Sequence, residues 1–236
     1  MSVTYAIEHR KGASRIDPLM KHSHISGFTV IEILVAAVLL ILLLSLIFAF
    51  LTPTMKAAAL GSTRAEIQQE ALRSLDALSH DLKASASSGI SLITPAVNPE
   101  KGPVYLGVIR VESVGPLGND IWEQSLIVYF WKGPGSPLIR KVWSSSSPPS
   151  LGIILSPSSP SRVEETTLSR IADETGLKGQ VLARDVSLLL ITHSGMGASV
   201  SSPIDLSMTI TRKAATGRNT PESFHLNRSI CLRYQL

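Results

Sequence analysis

The carboxylate of Glu32 stands alone at the start of a long apolar stretch, where its charge makes it a candidate for chemistry. Residues 33–51 are all apolar except Ser45. An unpaired carboxylate is costly in such surroundings, so ionisable groups there usually have a partner or contact water. Glu32 therefore either stays solvated at the level of lipid headgroups or awaits a positive charge from another group.

The segment before Glu32 offers a source for that positive charge. Gly27 precedes Phe28, and its small size suits a peptidase pocket immediately before a cleaved bond. A cut between these two residues would give Phe28 a new α-amino group four residues before Glu32. The Glu32 carboxylate could then neutralise that amine in its own subunit or in a neighbour.

The apolar stretch has the length of a membrane-spanning helix. About 20 helical residues span the roughly 30 Å hydrocarbon core of a bilayer. The core of a signal peptide, the alternative, is shorter, at about 7–15 residues. The preceding segment carries four Lys or Arg residues, and basic residues before a membrane helix stay on the cytoplasmic side. Everything after residue 51 is then expected to be exported.

Residues 27–32, with the sequence GFTVIE, and the apolar run that follows resemble the class III signal of type IV prepilins and type II secretion pseudopilins. In that family a prepilin peptidase cuts after the Gly and N-methylates the new terminal Phe, and a Glu at the fifth mature position acts in assembly. The resemblance implies cleavage between Gly27 and Phe28, methylation of Phe28 and an assembly role for Glu32. It also implies three kinds of partner: the prepilin peptidase, other pilin or pseudopilin subunits, and inner-membrane lipid.

The helical pattern continues past the apolar stretch as an amphipathic segment. Pro53 lacks a backbone donor and predicts a kink or a brief break. Apolar residues then recur at steps of three or four, the spacing of one helix face, at Ile67, Ala71, Leu75, Leu78 and Leu82. The pattern ends in the Ser-rich residues 85–88, with Gly89 as a C-terminal stop. We expect one helix over 28–87, with residues 28–51 in the membrane and residues 52–88 packed on a sheet.

Residues 89–236 are expected to form a β-rich exported domain. Runs rich in β-branched and aromatic residues, or alternating in polarity, predict strands at 104–112, 125–132, 138–143, 181–193, 206–211 and 224–232. In the last of these, Arg228 interrupts an otherwise apolar face. The Ser- and Pro-rich residues 144–161 predict a flexible surface loop. The expected fold class is α+β and pilin-like, with a long N-terminal helix packed on an antiparallel sheet.

Motifs for catalysis, metal binding or a cofactor do not occur in the sequence. It has no G-x-S-x-G, H-E-x-x-H, paired C-x-x-C or P-loop. The one cysteine, Cys231, excludes an intramolecular disulfide and is expected to be small and buried on a late strand. His80 and Asp81 point to different faces of a helix, so a solvated helix end is expected and not a dyad. We therefore predict no enzymatic activity, no cofactor and no metal.

Two further features leave alternatives open. Three tryptophans at strand positions, which are expected to pack in the core, could instead form a binding platform: Trp122, Trp131 and Trp143. Five basic residues near the C terminus could contact DNA phosphates, although a solvated strand face is the simpler interpretation: Arg212, Lys213, Arg218, Arg228 and Arg233. The formal net charge of +4 is too small to favour nucleic acid by itself.

The predicted function is that of a pilin-like subunit of a type IV pilus or a type II secretion pseudopilus in the inner membrane. The lone cysteine, the Ser- and Pro-rich loop and the patterns at 78–82 and 224–233 favour a minor subunit, similar to the PilW or GspJ type. The alternatives are a DNA-uptake pilin and a membrane-anchored exported binding protein or enzyme.

Overall fold

The computed structural model describes residues 27–95, 98–147, 155–160, 162–195, 200–213 and 221–232. The chain divides into two units, Met1–Leu51 and Thr52–Leu236. Of the predicted leader, residues 1–27, only Gly27 is among the described residues.

The first helix, α1, covers Val30–Lys83 and includes Pro53 without ending there. From Val30 to Leu51 its residues are all exposed. Its most apolar 18-residue window has a mean hydropathy of 3.3, so by length and composition the helix could cross a membrane. It begins two residues later and ends four residues earlier than predicted, and a short 3-10 turn at Ser87–Gly89 follows. The predicted long helix is therefore confirmed, with different ends.

The second unit contains a seven-stranded antiparallel sheet and a separate two-stranded hairpin. The strands are β1 (Ile90–Ile93), β2 (Val104–Val108), β3 (Val111–Val114), β4 (Asp120–Trp122), β5 (Ser125–Trp131), β6 (Ser136–Ser144), β7 (Gly179–His193), β8 (Ile204–Lys213) and β9 (Pro221–Ile230). The sheet has the order β1-β2-β5-β6-β7-β8-β9, and β3 pairs with β4. Every neighbouring pair is antiparallel. The α+β class is thereby confirmed.

Two apolar cores cover the two faces of the sheet. The stripe of α1 predicted from its spacing, from Ile67 to Leu82, is at most 1 % exposed and packs against one face. The other face carries a second helix, α2, which covers Glu165–Asp173. Side chains alternate between the faces of a strand, so Tyr129 of β5 joins the first core while Val128 joins the second.

The predicted strand over 104–112 is wrong in its extent, because the chain leaves the sheet after Val108. Ile109 N donates to Gly89 O at 2.9 Å and Val111 N donates to Ala84 O at 2.7 Å. These bonds turn the chain towards the end of α1, and β3 then pairs with β4 instead of continuing β2.

In the predicted flexible surface loop over 144–161, the described residues 145, 146 and 157–159 are exposed, whereas Leu155 is buried. Leu155 is 5 % exposed and belongs to the second core. Trp122 N donates to Pro157 O at 2.9 Å, so this segment is held against β4. Residues 148–154 and 161 lie outside the described residues.

Burial was predicted for the three tryptophans and for Cys231, and the structure confirms it only for the tryptophans. Trp122, Trp131 and Trp143 are at most 3 % exposed, which confirms core packing and makes a binding platform wrong. The prediction that Cys231 is buried on a strand is also wrong, because Cys231 is exposed and follows the end of β9. Ile230 and Leu232 on either side of it turn inwards and are buried, which leaves Cys231 pointing out.

Candidate functional site

The Gly27–Phe28 bond lies in a short non-helical segment directly before α1. Phe28 is 82 % exposed. A side chain built at Gly27 would meet nothing within 4 Å. Within the described residues, the positions on both sides of the bond are therefore accessible, which a peptidase requires of its substrate.

The Glu32 side chain caps the N-terminus of α1 together with Thr29. Thr29 N and Thr29 Oγ1 both donate to Glu32 Oε2, at 2.9 and 3.0 Å. In return, Glu32 N donates to Thr29 Oγ1 at 3.3 Å. This reciprocal arrangement is a capping box, in which a Thr and a Glu three residues later satisfy backbone donors that the helix leaves free.

The capping box gives Glu32 a structural role that was not predicted from the sequence, although the T-x-x-E spacing at residues 29–32 is typical of this motif. The carboxylate is exposed and already hydrogen-bonded within its own helix end. Any partner that recruits Glu32 must therefore compete with Thr29.

A series of ion pairs joins the second half of α1 to the sheet. Arg64 Nε lies 2.8 Å from Glu222 Oε2 of β9. Arg212 Nη2 of β8 lies 3.0 Å from Glu70 Oε2. Because these side chains flank the buried apolar stripe, they fix the register of the helix on the sheet.

Asp81, near the end of α1, is 3 % exposed and is the buried member of this series. Its Oδ2 accepts from Tyr129 Oη at 2.6 Å and from Arg140 Nε at 3.1 Å. Arg110 Nη1 lies 3.6 Å from Asp81 Oδ1. Burial, helped by the Asp81 carboxylate, raises the pKa of Tyr129 well above its ordinary value.

The predicted solvated helix end is therefore wrong for Asp81, although His80 beside it is exposed. The helix turn that carries Asp81 faces β5 and β6, and Arg140 and Tyr129 compensate its burial. The prediction that the two residues lie on different faces is confirmed.

Two of the five basic residues near the C terminus are neutralised by carboxylates. Arg212 contacts Glu70 and also Asp185, at 2.8 Å. Arg228 Nη1 lies 2.5 Å from Asp76 Oδ1. Lys213 is exposed. Arg218 and Arg233 lie outside the described residues.

An open trough of about 510 Å³ lies between the C-terminal end of α2 and strands β5–β7, and its apolar lining includes Phe130, Ile139 and Val181. Lys141 enters it, and its ammonium donates to the carbonyl oxygens of Ala172 and Glu174 at 2.7 and 2.6 Å. Burial lowers the pKa of Lys141. Since the ammonium caps carbonyls at the C-terminal end of α2, it has a structural role and is poorly placed to act as a nucleophile.

Within the described part of the chain, no group of three or more His, Cys, Asp or Glu side chains is placed to hold a metal ion. Comparisons with protein-family models, curated proteins and solved structures give no match for this chain.

Proposed function

We propose that this chain is a type IV pilin-like subunit, cleaved by a prepilin peptidase between Gly27 and Phe28 and methylated on Phe28. The observation that carries the proposal is the placement of this bond. It lies in an exposed non-helical segment, two residues before a capped helix whose residues are exposed and apolar as far as Leu51. Such a helix needs an apolar surrounding, which a bilayer supplies before assembly and neighbouring helices supply afterwards.

In this proposal Glu32 changes partner during assembly. In the membrane its carboxylate is held by Thr29 at the helix end. Cleavage creates a positively charged amine at Phe28, which adds the attraction between opposite charges that the neutral donors of Thr29 cannot offer to the Glu32 carboxylate. An amine presented by a neighbouring subunit could therefore displace Thr29, which makes the contact between subunits dependent on prior cleavage.

The exported domain would travel with the helix because its ion pairs and apolar stripe hold residues 64–82 on the sheet. The chain is then a structural subunit whose chemistry is performed on it by the peptidase. We further propose that it is a minor subunit, consistent with the single cysteine and hence the absence of an intramolecular disulfide.

Cleavage tests the proposal directly. The full chain is expressed with and without a prepilin peptidase, and the membrane-bound product is analysed by mass spectrometry. We expect a mature chain of 209 residues, 236 − 27, that begins at N-methylated Phe28. Gly27→Val should block cleavage, because the larger side chain does not fit a peptidase pocket suited to Gly. The control is Gly61→Ala, which also replaces a Gly in open space but lies within α1, away from the bond. A native N-terminus at any other residue contradicts the proposal.

A further inference from the structure

The start of α1 is well defined, so the Gly27–Phe28 bond has a fixed distance from the helix. α1 begins at Val30, and Ile33 N donates to Thr29 O at 3.2 Å as its first backbone bond. Among the described residues, no backbone N–H donates to the carbonyl oxygen of Gly27 or Phe28. The carbonyl of the bond between them is therefore free, and only two residues separate this bond from the helix.

The capping box opposes a helix that starts at any other residue. Glu32 N donates to Thr29 Oγ1 at 3.3 Å, whereas in a helix that began earlier it would donate to Phe28 O. Thr29 N donates to Glu32 Oε2 at 2.9 Å, which ties the first turn together and opposes fraying. The two bonds together select Val30 as the first helical residue.

In the membrane the same capping box gives the helix start a defined depth; this step rests on the proposed function. Residues 30–51 rise about 33 Å in a helix, close to the roughly 30 Å hydrocarbon core of a bilayer. Backbone N–H groups without partners are costly inside that core, so the helix end lies at its edge. Two extended residues reach at most about 7 Å farther. The Gly27–Phe28 bond is thus confined to a narrow layer beside the bilayer.

A glycine before the bond does not by itself select it. Gly12 and Gly61 also occur in the first part of the chain. Gly61 lies within α1, where its backbone is helical. Gly12 is far from Val30 along the sequence. The short distance to the helix start distinguishes Gly27 from both.

We infer that the Thr29–Glu32 capping box is a positioning element that selects the bond for cleavage. The peptidase cuts the Gly–Phe bond whose Phe lies two residues before the first helical residue. Neither capping side chain belongs to the bond, so both act by fixing its distance from the helix. A displacement of about 1 Å between reacting groups can lower a rate by roughly a hundredfold, so a bond farther from the helix is a poor substrate.

Competition between two bonds in one chain tests this selection. A Gly-Phe dipeptide inserted between Phe28 and Thr29 creates a Gly–Phe bond at the present distance from the helix and leaves the original bond two residues farther away. The full chain in detergent micelles is treated with a prepilin peptidase, and the new N-termini are quantified by mass spectrometry. We expect the nearer bond to be cut at least about tenfold more often. Equal cleavage of the two bonds overturns the inference.

Variants of this two-bond chain separate the cap from direct recognition of the Thr29 hydroxyl. Thr29→Val keeps the shape but loses the cap, so the preference for the nearer bond should fall roughly fivefold, whereas Thr29→Ser retains it. Adding Val30→Pro to Thr29→Val should restore the preference, because Pro is favoured at the first helical position and keeps the preceding residue out of the helix. If Thr29→Ser retains the preference and Val30→Pro does not restore it, the peptidase recognises the hydroxyl itself and the inference is wrong.

Thr63→Val is the matched control, since Thr63 Oγ1 donates to Ala59 O at 3.0 Å within α1, away from the helix start. Its preference should equal that of the unsubstituted two-bond chain, and a loss as large as that of Thr29→Val contradicts the inference. Cleavage of the unchanged chain separates this inference from the proposed function. If that chain is cut between Gly27 and Phe28 while the two-bond chain shows no preference, the inference alone fails. If the unchanged chain is not cut there, the proposed function fails as well.

Discussion

Arg228 Nη1 of β9 lies 2.5 Å from Asp76 Oδ1 of α1, and this contact explains why Arg228 stands between the apolar side chains of Leu226 and Ile230 on one face of the strand. The face that includes Phe224, Leu226 and Ile230 is turned towards α1. At the position of Arg228, α1 carries the Asp76 carboxylate beside its buried apolar stripe, and the Arg228 guanidinium pairs with this carboxylate. The Asp76 side chain is 65 % exposed, so the pair sets register more than it adds stability.

Asp81→Ala is expected to destabilise the chain by about 2–4 kcal/mol. The substitution removes a buried carboxylate and leaves Tyr129 and Arg140 without their acceptor, the situation in which breaking a buried pair is most costly. The figure lies below that of a fully buried pair because the Arg140 side chain is 22 % exposed. Urea unfolding of the full chain in micelles measures the effect.

The matched control for this measurement is Asp76→Ala, which removes an exposed carboxylate from the same helix. Its loss should cost less than about 1 kcal/mol. If both substitutions destabilise the chain equally, Asp81 does not have the central role that its burial implies.

Tyr129→Phe is expected to make the chain less sensitive to alkaline pH. Burial raises the pKa of Tyr129 in the folded state. Above the ordinary tyrosine pKa of about 10 the unfolded chain releases this proton while the folded chain retains it, so the stability that is present below pH 10 falls as pH rises. Without the hydroxyl this part of the loss disappears, although the variant is less stable at neutral pH because Asp81 loses a donor.

The measurement is the urea midpoint between about pH 9 and pH 11. Tyr105→Phe is the control, since burial raises the pKa of Tyr105 less and its side chain does not contact Asp81. If the midpoint of the Tyr129→Phe chain falls with pH as steeply as that of the unchanged chain, Tyr129 does not cause this loss of stability at alkaline pH.

Sequence patterns predicted the elements whose residues repeat regularly. The stripe from Ile67 to Leu82 and the strands β8 and β9 follow helical or alternating periodicity, which depends on local burial alone, whereas β5–β7 were predicted from their β-branched, aromatic and apolar composition. α2 was missed, although Leu168, Ile171 and Ala172 share one face, because nine residues beside a Ser- and Pro-rich stretch give little periodic signal. The burial of Asp81 could not be predicted either, since its partners Tyr129 and Arg140 lie 48 and 59 residues away along the chain.

The chain is expected to be a small fraction of the filament in which it assembles. The proposed minor role implies a rare position in the filament, whereas a main subunit meets its own kind at every lattice position. Quantitative mass spectrometry of sheared filaments, with all pilin-like chains measured together, gives the ratio. If this chain dominates the filament, the minor assignment is wrong while the cleavage prediction is unaffected.

Thr29 and Glu32 allow the capping role and the charge of Glu32 to be separated. Thr29→Val removes the hydroxyl from the capping box, whereas Thr29→Ser retains it. Losing a cap costs about 1 kcal/mol, so amide exchange at residues 30–33 should accelerate roughly fivefold in Thr29→Val and remain nearly unchanged in Thr29→Ser. Unchanged exchange in Thr29→Val would show that the capping box does not hold the helix end.

Glu32→Gln then tests the charge alone, because Gln also serves as the third residue of a capping box. The variant should be cleaved between Gly27 and Phe28 and should keep the slow exchange of a capped helix. It should nevertheless assemble poorly, since a neutral amide cannot neutralise the amine of a neighbouring Phe28. Crosslinking of cleaved subunits in membranes, scored against Thr29→Ser, measures assembly. If Glu32→Gln assembles as well as the unchanged chain, Glu32 acts only as a helix cap and the proposed change of partner does not occur.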